Sequence, residues 1–248
     1  MSATLRVCHL YPGEMNIYAD RGNIAVLERR LAWRGHRIEV TASGLGEPVD
    51  PAAHDLYYLG GGQDRDQAVV AEDLLRAKAD GIAAAVAGGA AVLCVCGGFQ
   101  LAGHGYTGAE GARMPGLGLL DLDTVAGPTR LIGNLVIEAE LDGDRHRVVG
   151  FENHAGRTRL GPGARPLGRV LHGHGNNGQD GGEGGVAGRV VGTYLHGPLL
   201  PKNPWLADRL ISWGLEHATG RPVELPPLDD GLEEAAHRAA TARAAGGR

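Results

Sequence analysis

The sequence predicts an α/β fold with a mostly parallel central sheet, helices on both faces of that sheet, and antiparallel strands in the second half. Two observations lead to this prediction. In the first hundred residues, short apolar runs alternate with segments of helical periodicity, the order expected of a parallel sheet covered on both faces. From Leu117 onward, segments of alternating polarity are separated by turn-forming residues, which is typical of antiparallel strands.

The elements of the first half follow from local patterning. Ile24, Leu27 and Leu31 recur at helical spacing, and Gly35 follows them as a helix-ending residue. The predicted helices span residues 23–34 and 67–87, and the predicted strands span residues 5–10, 37–42, 55–59 and 90–95. Because ligands bind at the carboxyl ends of parallel strands, we expect the loops at residues 60–63 and 96–100 to share one rim of the sheet.

The second half begins with three alternating segments, separated by Gly127-Pro128 and by Asp142-Gly143-Asp144. The remaining predicted elements are a strand at residues 190–196 and helices at residues 203–218 and 229–245. Residues 173–188 are rich in glycine and carry no large apolar side chain, so we expect a mobile surface loop there and no core element. We expect one domain over residues 1–220 and a C-terminal helical extension over residues 221–248.

The composition excludes some functions. Among 248 residues, 24 are positively charged, and only Lys78 and Lys202 of these are lysine. A phosphate-binding P-loop needs a lysine followed by Ser or Thr, whereas Ala79 and Asn203 follow the lysines here. This excludes a Walker-type ATP site. The net charge of −5 argues against a general nucleic-acid or anionic-membrane surface.

Three cysteines are too few for a secreted disulfide framework, and the N-terminus lacks the apolar stretch of a signal peptide. We therefore expect a cytoplasmic protein. Residues 82–99 carry no charge and could suggest a membrane span. Glycine pairs at 88–89 and 97–98 interrupt this stretch, which favours a helix end, a turn, a buried strand and a second turn.

Cys96 is the candidate nucleophile. It directly follows a predicted buried strand, and Gly97 and Gly98 come between it and a predicted helix, which is the arrangement of a nucleophile elbow. The positive end of a helix would favour the reactive thiolate. The backbone N–H of Gly97 and a donor from the loop at residues 60–62 could bind an oxyanion. We expect Cys94, within the strand, to be a buried structural thiol.

A thiolate nucleophile also needs a base. His196 is the preferred candidate because it follows a predicted strand and therefore reaches the same rim as Cys96. His154 is the alternative base, and otherwise it is structural or lines the site. A zinc site built from His172, His174 and the two neighbouring cysteines fits no usual ligand spacing, so no metal is predicted.

At these residues the sequence resembles the class I glutamine amidotransferases, in the CobB/CobQ-type subgroup that includes the amidotransferase parts of cobyric acid synthases. The motifs that carry this resemblance are CGGFQ at 96–100, LGGGQDRDQ at 59–67 and YLHGP at 194–198. The motifs LYP at 10–12, MNIY at 15–18 and GFENH at 150–154 are similar to those of the GatD-type glutaminase subunits of lipid II isoglutaminyl synthases. The resemblance covers roughly residues 5–215.

The resemblance implies a glutaminase that attacks the side-chain amide of glutamine with Cys96 and forms a thioester, with His196 transferring the protons. It implies an oxyanion hole at Gly61, Gly62 and Gly97. Arg130 matches the position at which GatD-type proteins have an arginine that binds the substrate, and its guanidinium suits the α-carboxylate of glutamine. We also expect Gln100 to orient the substrate amide.

The sequence departs from the usual class I pattern at one catalytic position. Most members carry His-x-Glu, whereas Gly197-Pro198 follow His196, an absence that the subgroup shares. We therefore expect weak glutaminase activity from the isolated chain and an orienting acid from a partner. The resemblance implies a MurT-type, Mur-ligase-like partner in a heterodimer. This partner would bind ATP and Mg²⁺ and amidate the D-glutamate α-carboxylate of lipid II to D-isoglutamine, and no cofactor is expected in this chain.

Three other functions stay open from the sequence. The chain could supply ammonia to another synthetase, such as one that amidates a cobalamin precursor. It could be a non-catalytic regulatory subunit, which the intact Cys96 and His196 disfavour. It could also be a hydrolase that acts on a small peptide or amide with the same Cys–His pair.

Overall fold

The computed structural model describes residues 2–16 and 21–246. The elements of the first half are β1 (Thr4–Leu10), α1 (Arg21–Trp33), β2 (Arg37–Ser43), β3 (Leu56–Leu59), α2 (Asp64–Asp73), α3 (Ala79–Ala87), β4 (Ala91–Val95) and α4 (Gly97–Ala102). A π-helical segment, Leu74–Lys78, joins α2 to α3, so the single helix predicted over residues 67–87 is three consecutive helical segments.

The elements of the second half are β5 (Gly105–Thr107), β6 (Arg113–Pro115), β7 (Leu122–Leu141), β8 (Asp144–Leu160), β9 (Gly168–His172), β10 (Gly182–Glu183), β11 (Gly185–Ala187), β12 (Val190–Thr193), α5 (Pro204–Thr219) and α6 (Gly231–Gly246). A short 3₁₀ turn, Leu200–Lys202, precedes α5. The terminal helix α6 lies where the sequence predicts one.

The first sheet has the strand order β11-β12-β4-β3-β1-β2, and all of its pairs are parallel except β11 with β12. Two hydrophobic clusters lie on its two faces. One contains Val7 and Leu93 of the sheet with Leu27 of α1 and Leu210 of α5, and the other contains residues of α2, α3 and α4. The prediction of a mostly parallel sheet with helices on both faces is confirmed.

The second sheet has the order β10-β9-β7-β5-β6, and β8 also pairs with β7. The strands β7 and β8 form a long antiparallel hairpin, and its turn has positive φ at Asp142 and Gly143. The predicted turn at Gly127-Pro128 is wrong: the pairing register shifts between Ala126 and Leu131, so this dipeptide lies in a bulge within β7. A bulge tolerates proline because its nitrogen need not donate to the strand ladder.

Residues 173–188 also differ from the prediction of a surface loop without core elements. They contain β10 and β11, and Asn176, Glu183 and Val186 are buried. Asn176 is bound on both sides of its amide, since its Nδ2 donates to the carbonyl of Gly184 and its Oδ1 accepts the N–H of Gly184, each at 2.8 Å. The prediction was wrong because this segment is held by buried polar side chains that bond to the backbone, and not by apolar side chains.

The uncharged stretch at residues 82–99 forms the end of α3, a turn and β4, as predicted. The second predicted turn is limited to Cys96, because Gly97 and Gly98 already begin α4. Among the helices described in this chain, none is both long and apolar enough to cross a membrane.

Candidate active site

Cys96 occupies a sharp turn between β4 and α4. Its φ of 53° and ψ of −107° are unusual for a residue other than glycine, which is the backbone strain expected of a nucleophile elbow. Its N–H donates to the carbonyl of Thr193 at 2.8 Å, and the residue is partly exposed. Cys94, two residues earlier, is buried, and burial raises the pKa of its thiol to about 12, in agreement with a structural role.

The two glycines after Cys96 leave no room for a side chain. A Cβ on Gly98 would lie 2.4 Å from the carbonyl oxygen of Leu59, and a Cβ on Gly97 would lie 2.3 Å from Nε2 of Gln67. The N–H of Gly98 donates to the carbonyl of Gly60 at 3.1 Å. The elbow is therefore packed directly against the loop that follows β3.

This packing brings the predicted oxyanion residues together. The nitrogen of Gly62 lies 3.1 Å from the position that a Cβ on Gly97 would occupy, and Gly61 precedes it in the same loop. Gln67 Nε2 donates to the carbonyl of Gly62 at 3.0 Å and holds the loop. The helix α4 has only six residues, so the dipole that acts on Cys96 is that of a short helix. The role of these amides in binding an oxyanion stays a prediction.

His196 follows the strand beside the one that carries Cys96. The strands β12 and β4 pair in parallel, with Thr193 opposite Val95, and so they end at the same rim. The backbone of His196 forms an isolated bridge with Phe151 of β8, and the two rings meet edge to face at 5.8 Å. The structure thus places both predicted catalytic residues at one edge of the sheet.

The pKa of His196 is lowered to about 4, most strongly by burial and then by the charges of His154, Lys202 and Arg130. Glu152 acts in the opposite direction but does not outweigh them. The imidazole is therefore neutral near pH 7, which is the form that can accept a proton from a thiol.

His154 is held in the wall of this region. Its Nδ1 lies 2.9 Å from the carbonyl oxygen of Gly156, and its ring is stacked on Tyr194 with the centroids 3.5 Å apart. Only 2% of the residue is exposed. The hydrogen bond of its Nδ1 to the backbone and the stacking on Tyr194 favour a structural role for His154 over the alternative role of base.

Arg130 lies at the bulge of β7 and is exposed. Its Nε donates to Oδ1 of Asn153 and its guanidinium also donates to the carbonyl of Asn153, each at 2.7 Å. Because its charge is one cause of the lowered pKa of His196, the guanidinium is near enough to the site to act on it. Its contact with substrate stays a prediction.

Gln100 is buried beneath the site. Its Nε2 donates to the hydroxyl of Tyr194 at 3.2 Å, and that hydroxyl lies 2.7 Å from Oγ1 of Thr158. The amide of Gln100 is already part of this buried network, and its role in orienting the substrate amide stays a prediction.

Two residues of the N-terminal motif at 15–18, Ile17 and Tyr18, lie outside the residues that the structure describes.

Two residues near His196 were missed from the sequence. Glu183 lies in the glycine-rich segment and is fully buried beside Thr193 and Tyr194. Lys202 donates from Nζ to the carbonyl of Gly197 at 3.1 Å. A lone acid among glycines and a lone lysine in a loop give no periodic signal, and only the rarity of lysine in this chain distinguishes Lys202.

Comparison with known proteins agrees with this geometry. Residues 6–204 match the CobB/CobQ-like glutamine amidotransferase domain. The chain is 39% identical over 231 residues to the GatD subunit of the glutamine-hydrolyzing lipid II isoglutaminyl synthase of Streptococcus pneumoniae, which covers 93% of this chain and 88% of that protein. The GatD subunit of Staphylococcus aureus is 37% identical over 229 residues, covering 92% of this chain and 91% of that protein.

A cobyric acid synthase of Rhodobacter capsulatus is 36% identical over 162 residues, which is 61% of this chain but only 32% of that protein. Among solved structures, PurLQS from Thermotoga maritima matches with a TM-score of 0.56 and 20% identity, covering 87% of this chain and 98% of that chain. At this identity the structural likeness shows the fold alone. The sequence matches and the shared fold together show that the chain belongs to the family of CobB/CobQ-like glutamine amidotransferases.

Proposed function

We propose that this chain is the glutaminase subunit of a lipid II isoglutaminyl synthase, with Cys96 and His196 as its catalytic residues. It releases ammonia from L-glutamine for a partner subunit. The observation that supports the catalytic part is the strained elbow at Cys96, which leaves its strand beside the strand that leads to His196. The identity of 39% with a GatD subunit over 93% of the chain supports the choice of lipid II pathway.

The reaction follows acyl-transfer chemistry. His196 accepts the thiol proton of Cys96 as sulfur attacks the amide carbon of glutamine. The tetrahedral intermediate collapses to a thioester, the C–N bond breaks, and His196 gives its proton to the departing ammonia. A water molecule, deprotonated by His196, then attacks the thioester, and glutamate leaves as the thiol re-forms. The amides of Gly62 and Gly97 stabilise the oxyanion in both steps, with Gly61 shaping the loop.

Arg130 binds the α-carboxylate of glutamine through its planar guanidinium. The hydrogen bonds to Asn153 support this role because they hold the guanidinium at the edge of the site before substrate arrives.

The ammonia must reach a carboxylate that ATP has activated, and this step belongs to a partner. We infer a heterodimer with a MurT-type, Mur-ligase-like subunit that binds ATP and Mg²⁺ and amidates the D-glutamate of lipid II. Neither lysine of this chain suits a nucleotide phosphate: Nζ of Lys78 is buried against the carbonyls of Gly44 and Glu47, and Lys202 bonds Gly197. We place the complex in the cytoplasm, where ATP is available.

The test is lipid II amidation by the co-purified complex, supplied with ATP and either glutamine or ammonium chloride. Cys96→Ala should abolish amidation with glutamine and retain it with ammonium, because only ammonia production is lost. Cys94→Ala is the matched control and should retain both activities. Glutamine-dependent amidation that survives Cys96→Ala would overturn the catalytic assignment, and a complex that hydrolyses glutamine but leaves lipid II unchanged would overturn the acceptor.

A further inference from the structure

The loop that follows His196 is closed by a lysine. Residues 197–203 connect His196 to α5, and Nζ of Lys202 reaches back across this loop to the carbonyl of Gly197 at 3.1 Å. Gly197 has a φ of 84°, a left-handed backbone conformation that favours glycine directly after His196. The hydrogen bond from Lys202 therefore fixes the peptide group between Gly197 and Pro198, one residue beyond His196.

The far end of the loop is fixed to the body of the protein. Asn203 is buried, its Oδ1 accepts the N–H of Val149 at 2.9 Å, and its Nδ2 donates to the carbonyls of Val149 and Leu199 at 2.8 and 2.7 Å. Asn23 accepts the N–H of Leu200 at 2.8 Å. Lys202 thus works from an anchored segment. Phe151 holds the backbone of His196 itself, and Lys202 holds the carbonyl of the next residue, Gly197.

The C-terminal helix α6 holds the backbone of Lys202. Nδ1 of His237 lies 2.9 Å from the carbonyl oxygen of Lys202, which requires the imidazole to donate. The helix is attached at its beginning, where Asp230 binds the fully buried Arg30. It is attached again near its end, where Ala244 is buried in a small cluster with two residues of β7 and β8. The helix therefore packs on the same chain and reaches the loop that follows His196.

We propose that Lys202 is a positioning residue for His196 and that α6 keeps Lys202 in place through His237. This inference rests on the proposed role of His196 in glutamine hydrolysis. Lys202 acts in two ways: its hydrogen bond holds the Gly197–Pro198 peptide that follows the backbone of His196, and its positive charge disfavours a charged imidazole.

The second effect gives a test that loss of structure alone would not reproduce. The charged and titratable groups that act on the pKa of His196 are His154 and Glu152 on β8, Arg130 on β7, and Lys202. Removing the positive charge of Lys202 raises the pKa of His196. Since the neutral imidazole is the active form, the acid limb of kcat/KM should then move to higher pH.

The experiment measures glutamine hydrolysis by the complex of this chain with its synthase subunit, as kcat, KM and a pH profile. We expect Lys202→Met to lower kcat about tenfold at little change in KM and to move the acid limb to higher pH. Lys202→Arg keeps the charge and the donors, so it should restore the position of the limb and most of kcat. His237→Ala should lower kcat without moving the limb. The matched control is Arg238→Ala, an exposed neighbour on α6, which should change neither.

An unchanged kcat and an unmoved acid limb in Lys202→Met would overturn this inference, as would equal losses in Lys202→Met and Lys202→Arg. Cys96→Ala is included to separate the two proposals. If Cys96→Ala still hydrolyses glutamine, the proposed function fails; if Cys96→Ala is inactive and Lys202→Met is normal, only the role of Lys202 fails.

Discussion

Oε1 of Glu183 accepts a hydrogen bond from the backbone N–H of Tyr194 at 2.7 Å, two residues before His196. Oγ1 of Thr193 lies 3.0 and 3.1 Å from the two carboxyl oxygens of Glu183 and accepts the N–H of Leu195 at 3.0 Å. A single buried acid therefore holds the segment that leads from β12 to His196.

We predict that Glu183→Ala lowers kcat for glutamine by about tenfold or more, because the backbone before His196 loses its acceptor. Glu183→Gln keeps an oxygen for the N–H of Tyr194 and should retain most of the activity. Steady-state glutaminase assays of the complex give both values. Glu110→Ala, at an exposed loop position, is the control. Full activity in Glu183→Ala would show that this contact does not position His196.

The same residue predicts a pH dependence of stability. Burial raises the pKa of Glu183 to about 8, from an ordinary value near 4.5. Between these values the folded chain holds a proton that the unfolded chain has lost, so the free energy of unfolding falls as pH rises, by up to about 1.4 kcal/mol per pH unit from this group. The contribution is fully present below pH 4.5 and is lost as pH approaches 8.

Urea unfolding at pH 5 and pH 8.5 measures this effect. Because Glu183→Gln cannot lose a proton, the wild type should lose stability relative to this variant as the pH is raised. A constant difference between the two proteins across this range would contradict a raised pKa.

The sequence was informative where function depends on local chain geometry. Cys96 could be found because an apolar strand, a cysteine and two glycines are adjacent in the chain, and the steric need for Gly98 follows from that turn. His196 could be found because it follows a recognisable strand. Glu183 could not, because its role depends on contacts with Thr193 and Tyr194 that only the folded chain brings together.

In the fold, too, the features that depend on local sequence were predictable, and those that depend on contacts in the folded chain were not. The parallel sheet and its helices follow from periodicity, which each segment carries by itself. The bulge at Gly127-Pro128 was mistaken for a turn because a Gly-Pro pair is typical of both. The buried segment at residues 173–188 was mistaken for a surface loop because Asn176 and Glu183 take the place of apolar residues there.

Gly98 offers a steric prediction. In Gly98→Ala the new Cβ would approach the carbonyl oxygens of Leu59 and Gly60 to 2.4 and 2.8 Å, so either the elbow or the loop after β3 must move. We expect a loss of about 1–3 kcal/mol in the free energy of unfolding and at least a tenfold loss of kcat. Gly133→Ala is the control, because no atom lies within 4 Å of its added Cβ. Chemical denaturation and glutaminase assays check both expectations, and equal behaviour of the two variants would contradict them.

Arg130 offers a prediction on substrate affinity. Arg130→Ala should raise the KM for glutamine about tenfold to a hundredfold, since it removes a charged partner of the α-carboxylate. Arg130→Lys should recover only part of this loss, because an ammonium cannot make the paired hydrogen bonds of a guanidinium. Arg145→Ala, an exposed residue beside the turn of the same hairpin, is the control. An unchanged KM in Arg130→Ala would place the α-carboxylate elsewhere.

The missing acid after His196 predicts that the isolated chain is a poor glutaminase. An imidazole without an orienting carboxylate is a weak catalyst, and losing that group from a triad costs up to about 10⁴ in kcat. We therefore expect kcat to rise by at least tenfold when the partner subunit is added.

A carboxylate brought near His196 also stabilises the imidazolium, so the pKa of His196 should rise from about 4 and the acid limb of kcat/KM should move to higher pH in the complex. Parallel pH profiles of the isolated chain and the complex test both expectations. Full activity in the isolated chain would show that its own residues suffice to orient His196. A higher kcat with an unmoved limb would show that the partner acts by some means other than an added carboxylate.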